Sequence, residues 1–153
     1  MRKTQRLVNQ LTLALSAALI PALTLADHHV LHPAEMSKAD IAGAIFERPD
    51  TLVTGKGENQ IQDITSLLSS DGKFASGMYT AGPSRSVIDE PYGVDEFMYF
   101  LEGGVTLTSS DGTVTEIEAG EAVTIAKEWT GIWETKGYKK IWVIYSDDGS
   151  AFE

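Results

Sequence analysis

The sequence predicts an all-β, single-domain protein, a sandwich or barrel of short strands that follows an N-terminal leader. Three observations carry this. The chain has 153 residues, one domain's worth of length. Its apolar runs are short and evenly spaced, and Asp-Gly turns at Asp71-Gly72, Asp111-Gly112 and Asp148-Gly149 punctuate them. Its first 26 residues have a composition of their own.

That first segment reads as a secretory signal peptide. Arg2, Lys3 and Arg6 form a basic head, Leu11 to Ile20 an apolar run, and Thr24-Leu25-Ala26 a small-residue exit after Pro21. The run falls short of the roughly 20 residues that span a bilayer. Cleavage is expected after Ala26, giving a periplasmic or secreted protein that has no further membrane attachment. The domains are then 1–26 signal peptide, 27–49 N-terminal extension and 50–153 the folded domain. Within the extension, Ser37-Lys38-Ala39-Asp40 offers a helix start.

Strands are expected at Lys73–Thr80, Phe97–Leu101, Val105–Ser109, Thr113–Glu118, Ala122–Ala126, Gly131–Glu134 and Lys139–Tyr145. Glu102-Gly103-Gly104 reads as a break between the second and third. In the Asp-Gly turns both central residues are expected at positive φ. Thr113–Glu118 reads as an edge strand with two mixed faces. Lys139–Tyr145 is apolar on both faces, Ile141, Val143 and Tyr145 on one, Trp142 and Ile144 on the other, and is expected to be buried on both, between sheets or in a homodimer.

Composition excludes whole classes. Cysteine is absent, which removes disulfide scaffolds, thiol catalysis and cysteine metal centres. The formal net charge is −10, and the leader takes three cations and no acid with it, so nucleic acid is not an expected partner. The three histidines, His28, His29 and His32, all stand near the leader, so no Ser-His-Asp triad is available.

Asp95-Glu96-Phe97-Met98-Tyr99-Phe100-Leu101-Glu102-Gly103 resembles the first motif of cupins, and Ala119-Gly120-Glu121-Ala122-Val123-Thr124-Ile125-Ala126 resembles the start of the second. Trp129-Thr130-Gly131-Ile132-Trp133-Glu134-Thr135 and Lys139-Lys140-Ile141-Trp142-Val143-Ile144 are similar to the subfamily of the (S)-ureidoglycine aminohydrolase cupin domain, which includes cupins of ethanolamine utilisation. Leu52-Val53-Thr54-Gly55 and Asp71–Gly77 fit the same pattern. The resemblance covers roughly residues 50–146. It implies a double-stranded β-helix (jelly roll) with a ligand cup between its sheets, and a homodimer.

A typical cupin holds a divalent metal with two His and one Glu from the first motif and one His from the second. Carried over, Glu96 matches the Glu. The first-motif His positions fall at Glu90 and Tyr92, or at Asp89 and Pro91 with a one-residue shift, and the second-motif His falls at Gly131. The usual metal site is therefore expected to be missing apart from Glu96, and no cofactor is predicted. A divalent metal stays open through Glu90, Asp95 and Glu96, although adjacent strand residues point to opposite faces.

Alternation puts Met98 and Phe100 on the face of Glu96, and Trp133 on that of Gly131, whose missing side chain leaves room in the cup. With Tyr79, Arg85 and Tyr92 these make an aromatic-walled cup with a few polar groups, suited to a small polar or anionic metabolite. Glu96 has three readings: an acid/base paired with Tyr92 in a divergent enzyme of hydrolase, lyase or isomerase type, a metal ligand, or a salt-bridge partner of Arg85 or Lys127. A structural or dimerisation module is the third functional reading. Separately, an N-terminus freed at Asp27-His28-His29 would offer a square-planar nitrogen set for Cu²⁺ or Ni²⁺.

Overall fold

The computed structural model describes residues 32–153. The leader and Asp27-His28-His29 fall outside the described residues.

Ser37 caps the short helix α1 (Lys38–Ala42), where its hydroxyl accepts from the Asp40 amide and the Asp40 carboxylate accepts from the Ser37 amide at 2.9 Å. A 3-10 turn follows at Ala44–Glu47. Nine strands come next: β1 (Leu52–Thr54), β2 (Ile61–Leu68), β3 (Phe74–Ala81), β4 (Ser84–Ile88), β5 (Asp95–Ser109), β6 (Val114–Glu118), β7 (Ala122–Ile125), β8 (Gly131–Thr135) and β9 (Tyr138–Tyr145). They form one antiparallel sheet in the order β1-β2-β3-β9-β5-β8-β4, with β6 and β7 also paired to β5. The sheet curls into a jelly roll with two layers.

The long strand β5 belongs to both layers. Its first half pairs with β7 and β9, its second with β6 and β8. A register shift between Phe100 and Glu102 marks the crossing. The expected break at Glu102-Gly103-Gly104 is thus paired strand, directly after a bulge inside one continuous element. The extra residue reverses which side chains point inward: Glu96, Met98 and Phe100 are buried before it, Val105 and Leu107 after it.

The Asp-Gly turns differ from expectation too. At Asp111-Gly112 only Gly112 has positive φ, because the Asp111 carboxylate accepts the Thr113 amide at 2.8 Å and fixes the turn from its side chain.

Between the layers Met98, Phe100, Val105, Leu107, Ile117, Ile125 and Trp133 make the main core. A second cluster lies on the outside of the sheet, where Ile45 packs with Ile64 and Met78, and Met36, Ile41 and Phe46 close over them. Strand β9 is not buried on both faces as its composition suggested. Trp142 is buried on the inner side, whereas on the outer side Ile141 is partly covered by this cluster and Tyr145 is exposed.

Candidate functional site

The concave side of the sheet encloses a cavity of about 1060 Å³, lined by residues of β2, β3, β4, β5, β8 and β9 and by Tyr92 from the β4–β5 loop. On its floor lies an ion pair. Lys140 Nζ is 2.7 Å from Glu96 Oε1, and both side chains are buried. The two residues flank the Met98–Trp142 register pair, since Glu96 faces Ile144 and Phe100 faces Lys140. The two long side chains meet over that pair, with Nζ also 3.0 Å from Met98 Sδ. The second carboxylate oxygen of Glu96 accepts a hydrogen bond from the Tyr92 hydroxyl.

Aromatic rings surround the ammonium group. Lys140 Nζ stands 5.3 Å from the Trp133 ring centre, 5.5 Å from Tyr79 and 5.7 Å from Tyr138. Tyr79 and Tyr138 are stacked, and Tyr138 also meets Phe100 and Trp133. Asp63 lines the same space and accepts from Trp142 Nε1 at 3.2 Å.

Burial dominates the electrostatics. It pulls the Lys140 amine below its ordinary range, against the opposing pull of Glu96. It pushes the Asp63 carboxyl up, and it raises the phenols of Tyr92 and Tyr138 far above theirs. The floor therefore combines a buried cation, a buried anion and phenols held in their neutral form.

Of the residues expected from sequence, Tyr79, Tyr92, Glu96 and Trp133 line this cavity together. Arg85 lies at its rim, exposed, with Nε 3.1 Å from Glu134 Oε1. Met98 and Phe100 are fully buried beneath the floor and do not line the space. Neither partner considered for Glu96 holds it: Arg85 pairs with Glu134 and Lys127 with Asp147, so the ion pair goes to Lys140.

Gly131 does not enlarge the cup. A Cβ there would lie 2.2 Å from the Thr108 carbonyl oxygen, so glycine serves the close approach of β8 to β5. Asp95 turns away from Glu96 and accepts the Lys127 amide at 3.0 Å.

The donor set does not fit the divalent metal of a typical cupin. Of the carboxylates at ligand positions, Glu90 (or Asp89) is exposed and does not line the cavity, and Glu96 has one oxygen on an ammonium and the other on a phenol. The remaining ligand positions offer no imidazole, and a divalent cation at Glu96 would meet the charge of Lys140.

Sequence reasoning missed Lys140, Tyr138, Asp63 and Trp142 as site residues. The signal for Lys140 was present. It shares a parity with Trp142 and Ile144 on a strand whose one other charged residue, Lys139, lies on the opposite face, and a cation there needs a buried anion. Asp63 lay in β2, which had not been expected as a strand.

A family model for the EutQ-like cupin domain matches residues 68–140. Among solved structures, a protein of unknown function from Pseudomonas syringae pv. tomato shares the fold with a TM-score of 0.55 at 16% identity, over 61% of this chain and 43% of that one. Ectoine synthase from P. lautus does so with a TM-score of 0.52 at 15% identity, over 67% and 72% of the two chains. A protein of unknown function from Rhizobium leguminosarum bv. viciae has 26% identity and a TM-score of 0.51, over 73% and 98%. The chain spans less than half the length of the Pseudomonas protein. No curated protein matches it. These likenesses carry the jelly-roll fold, and stop short of the ureidoglycine aminohydrolase subfamily.

Proposed function

We propose that this cupin-domain protein binds a small polar or anionic metabolite in its cup, with the Lys140–Glu96–Tyr92 cluster as the floor of the site. The observation that carries the reading is a buried ion pair placed against a cavity. Pairing two charges in a protein interior is seldom the most stable solution, and apolar residues of like size usually match or better it. Here the charges sit where a ligand would meet them.

The residues divide the work. Glu96 fixes the Lys140 amine on one oxygen and the Tyr92 hydroxyl on the other. Trp133, Tyr79 and Tyr138 wall the space with flat apolar surface and carry polar tips, the pattern of small-molecule sites. Arg85 at the rim offers a second cation to an incoming anion. The Sec-type leader supports a periplasmic or secreted location. The exposed outer-face side chains Phe74, Phe97, Tyr99 and Tyr145, on the adjacent strands β3, β9 and β5, support pairing with a second copy of the chain.

The test is a thermal-melt comparison of the leader-free protein against a panel of short carboxylates, hydroxy acids and hydroxyketones. At least one compound is expected to raise the melting temperature of the wild type and to leave Lys140→Met/Glu96→Gln unmoved. Equal shifts in both proteins would contradict the reading.

A second reading, a divergent cupin enzyme, draws on the chain of contacts from Tyr92 through Glu96 to Lys140. Such a chain can pass a proton between a ligand and the carboxylate. Hydrolysis of the ureidoglycine type is the weaker form of it, because that chemistry requires a metal and Glu96 has both oxygens engaged.

A further inference from the structure

We infer that Lys140 is an amine nucleophile, forming an imine with a short aldehyde or ketone that carries a second oxygen beside its carbonyl. The inference rests on the reading of the cup as a ligand site and names the class of ligand and the bond formed.

Three features point to it. The amine is the only lysine among the described residues that line the cavity, and it is buried against rings at 5.3–5.7 Å. An amine in an apolar pocket loses the solvation that keeps it charged, which is one way proteins activate lysine. A base is already in contact, with Glu96 Oε1 2.7 Å from Nζ. Finally, the residues that line the cavity around the amine include Tyr79, Tyr138 and Trp133, whose hydroxyls and indole N–H are the kind of group that holds a second ligand oxygen.

The step balances with these groups alone. Lys140 passes one proton to Glu96, the neutral amine attacks the carbonyl carbon as the C=O π pair moves to oxygen, and a second proton passes from nitrogen to that oxygen to give a neutral carbinolamine. Glu96 then returns its proton to the hydroxyl, which leaves as water with the C–O pair, while the nitrogen lone pair forms the C=N bond of the protonated imine. Tyr92, hydrogen-bonded to the other oxygen of Glu96, steadies the carboxyl in both protonation states.

The test uses the leader-free protein with pyruvate and, separately, hydroxyacetone, each in the presence of sodium cyanoborohydride. Intact-mass analysis and peptide mapping locate the reduced adduct, and thermal melting without the reductant reports binding of the same probes. The expected result is an adduct at Lys140 forming about tenfold faster than at any other lysine, the neighbouring Lys139 included. Labelling by one probe only would identify the ligand as a keto acid or a neutral hydroxyketone. A probe that raises the melting temperature but leaves no adduct at Lys140 would overturn the imine and leave the binding site standing. An adduct spread evenly over all lysines would overturn the imine as well. Peptide mapping of the wild type makes the outcome independent of any variant's folding, and Lys140→Arg, which keeps a cation opposite Glu96, is expected to lose the adduct.

Discussion

Replacing Lys140 by Met would leave the Glu96 carboxylate buried without its counter-ion. Removing one member of such a pair costs about 3–5 kcal/mol, so Lys140→Met should lower the denaturation midpoint sharply. Lys140→Met/Glu96→Gln, which removes both charges, should recover most of that loss. Urea titrations of the three proteins check this, and a double variant no more stable than the single one would show that the pair is not the coupled unit described. The phenols give a second prediction. Tyr92 and Tyr138 are held far above their ordinary range, mainly by burial, so the fold favours their neutral forms. The stabilisation this gives is complete below the unfolded value of 10.0 and is lost as pH climbs above it. Absorbance at 295 nm should accordingly rise for these two residues together with loss of the far-ultraviolet signal. Glu96 and Tyr92 were readable from the resemblance, which puts Tyr92 at a ligand position four residues before Glu96. Lys140 carried a signal in its parity with Trp142, but its pairing was not readable, because its partner comes from another strand and only register brings the two together.

At the scale of elements, the strand signals were legible where apolar runs met turn residues, as at β3, β6, β7, β8 and β9. The strands β1, β2 and β4 were missed. β1 and β4 are short and mostly exposed, and β2 mixes polar and apolar residues without clean alternation. The middle of β5 imitated a turn because Gly103 and Gly104, which follow the bulge, look alike in either role. The segment before β1 is part of the folded body: Ile45 is 2% exposed and packs with Ile64 and Met78 on the outer face of the sheet. Ile45→Ala should cost about 2–5 kcal/mol, a loss that a loosely attached extension would not show. Denaturant midpoints of the two proteins decide between these.

For the whole molecule, the jelly roll was legible from turn spacing and motifs together, since both require many short antiparallel strands. The chemistry was less so, because one fold hosts many activities and the site depends on contacts across layers. The outer face of β3, β9 and β5 exposes Phe74, Tyr145, Phe97 and Tyr99 side by side. Pairing of two copies through this face predicts a dimer in sedimentation velocity and a monomer for Phe97→Lys. The cup itself holds two natural reporters, Trp133 and Trp142. Ligand binding in the cup is therefore tested by a tryptophan-fluorescence titration of the protein with pyruvate and with hydroxyacetone, run in parallel on Lys140→Met/Glu96→Gln. The account predicts a saturable change in emission for at least one of them in the wild type and none in the double variant. No saturable change with either compound, or the same change in both proteins, would contradict it.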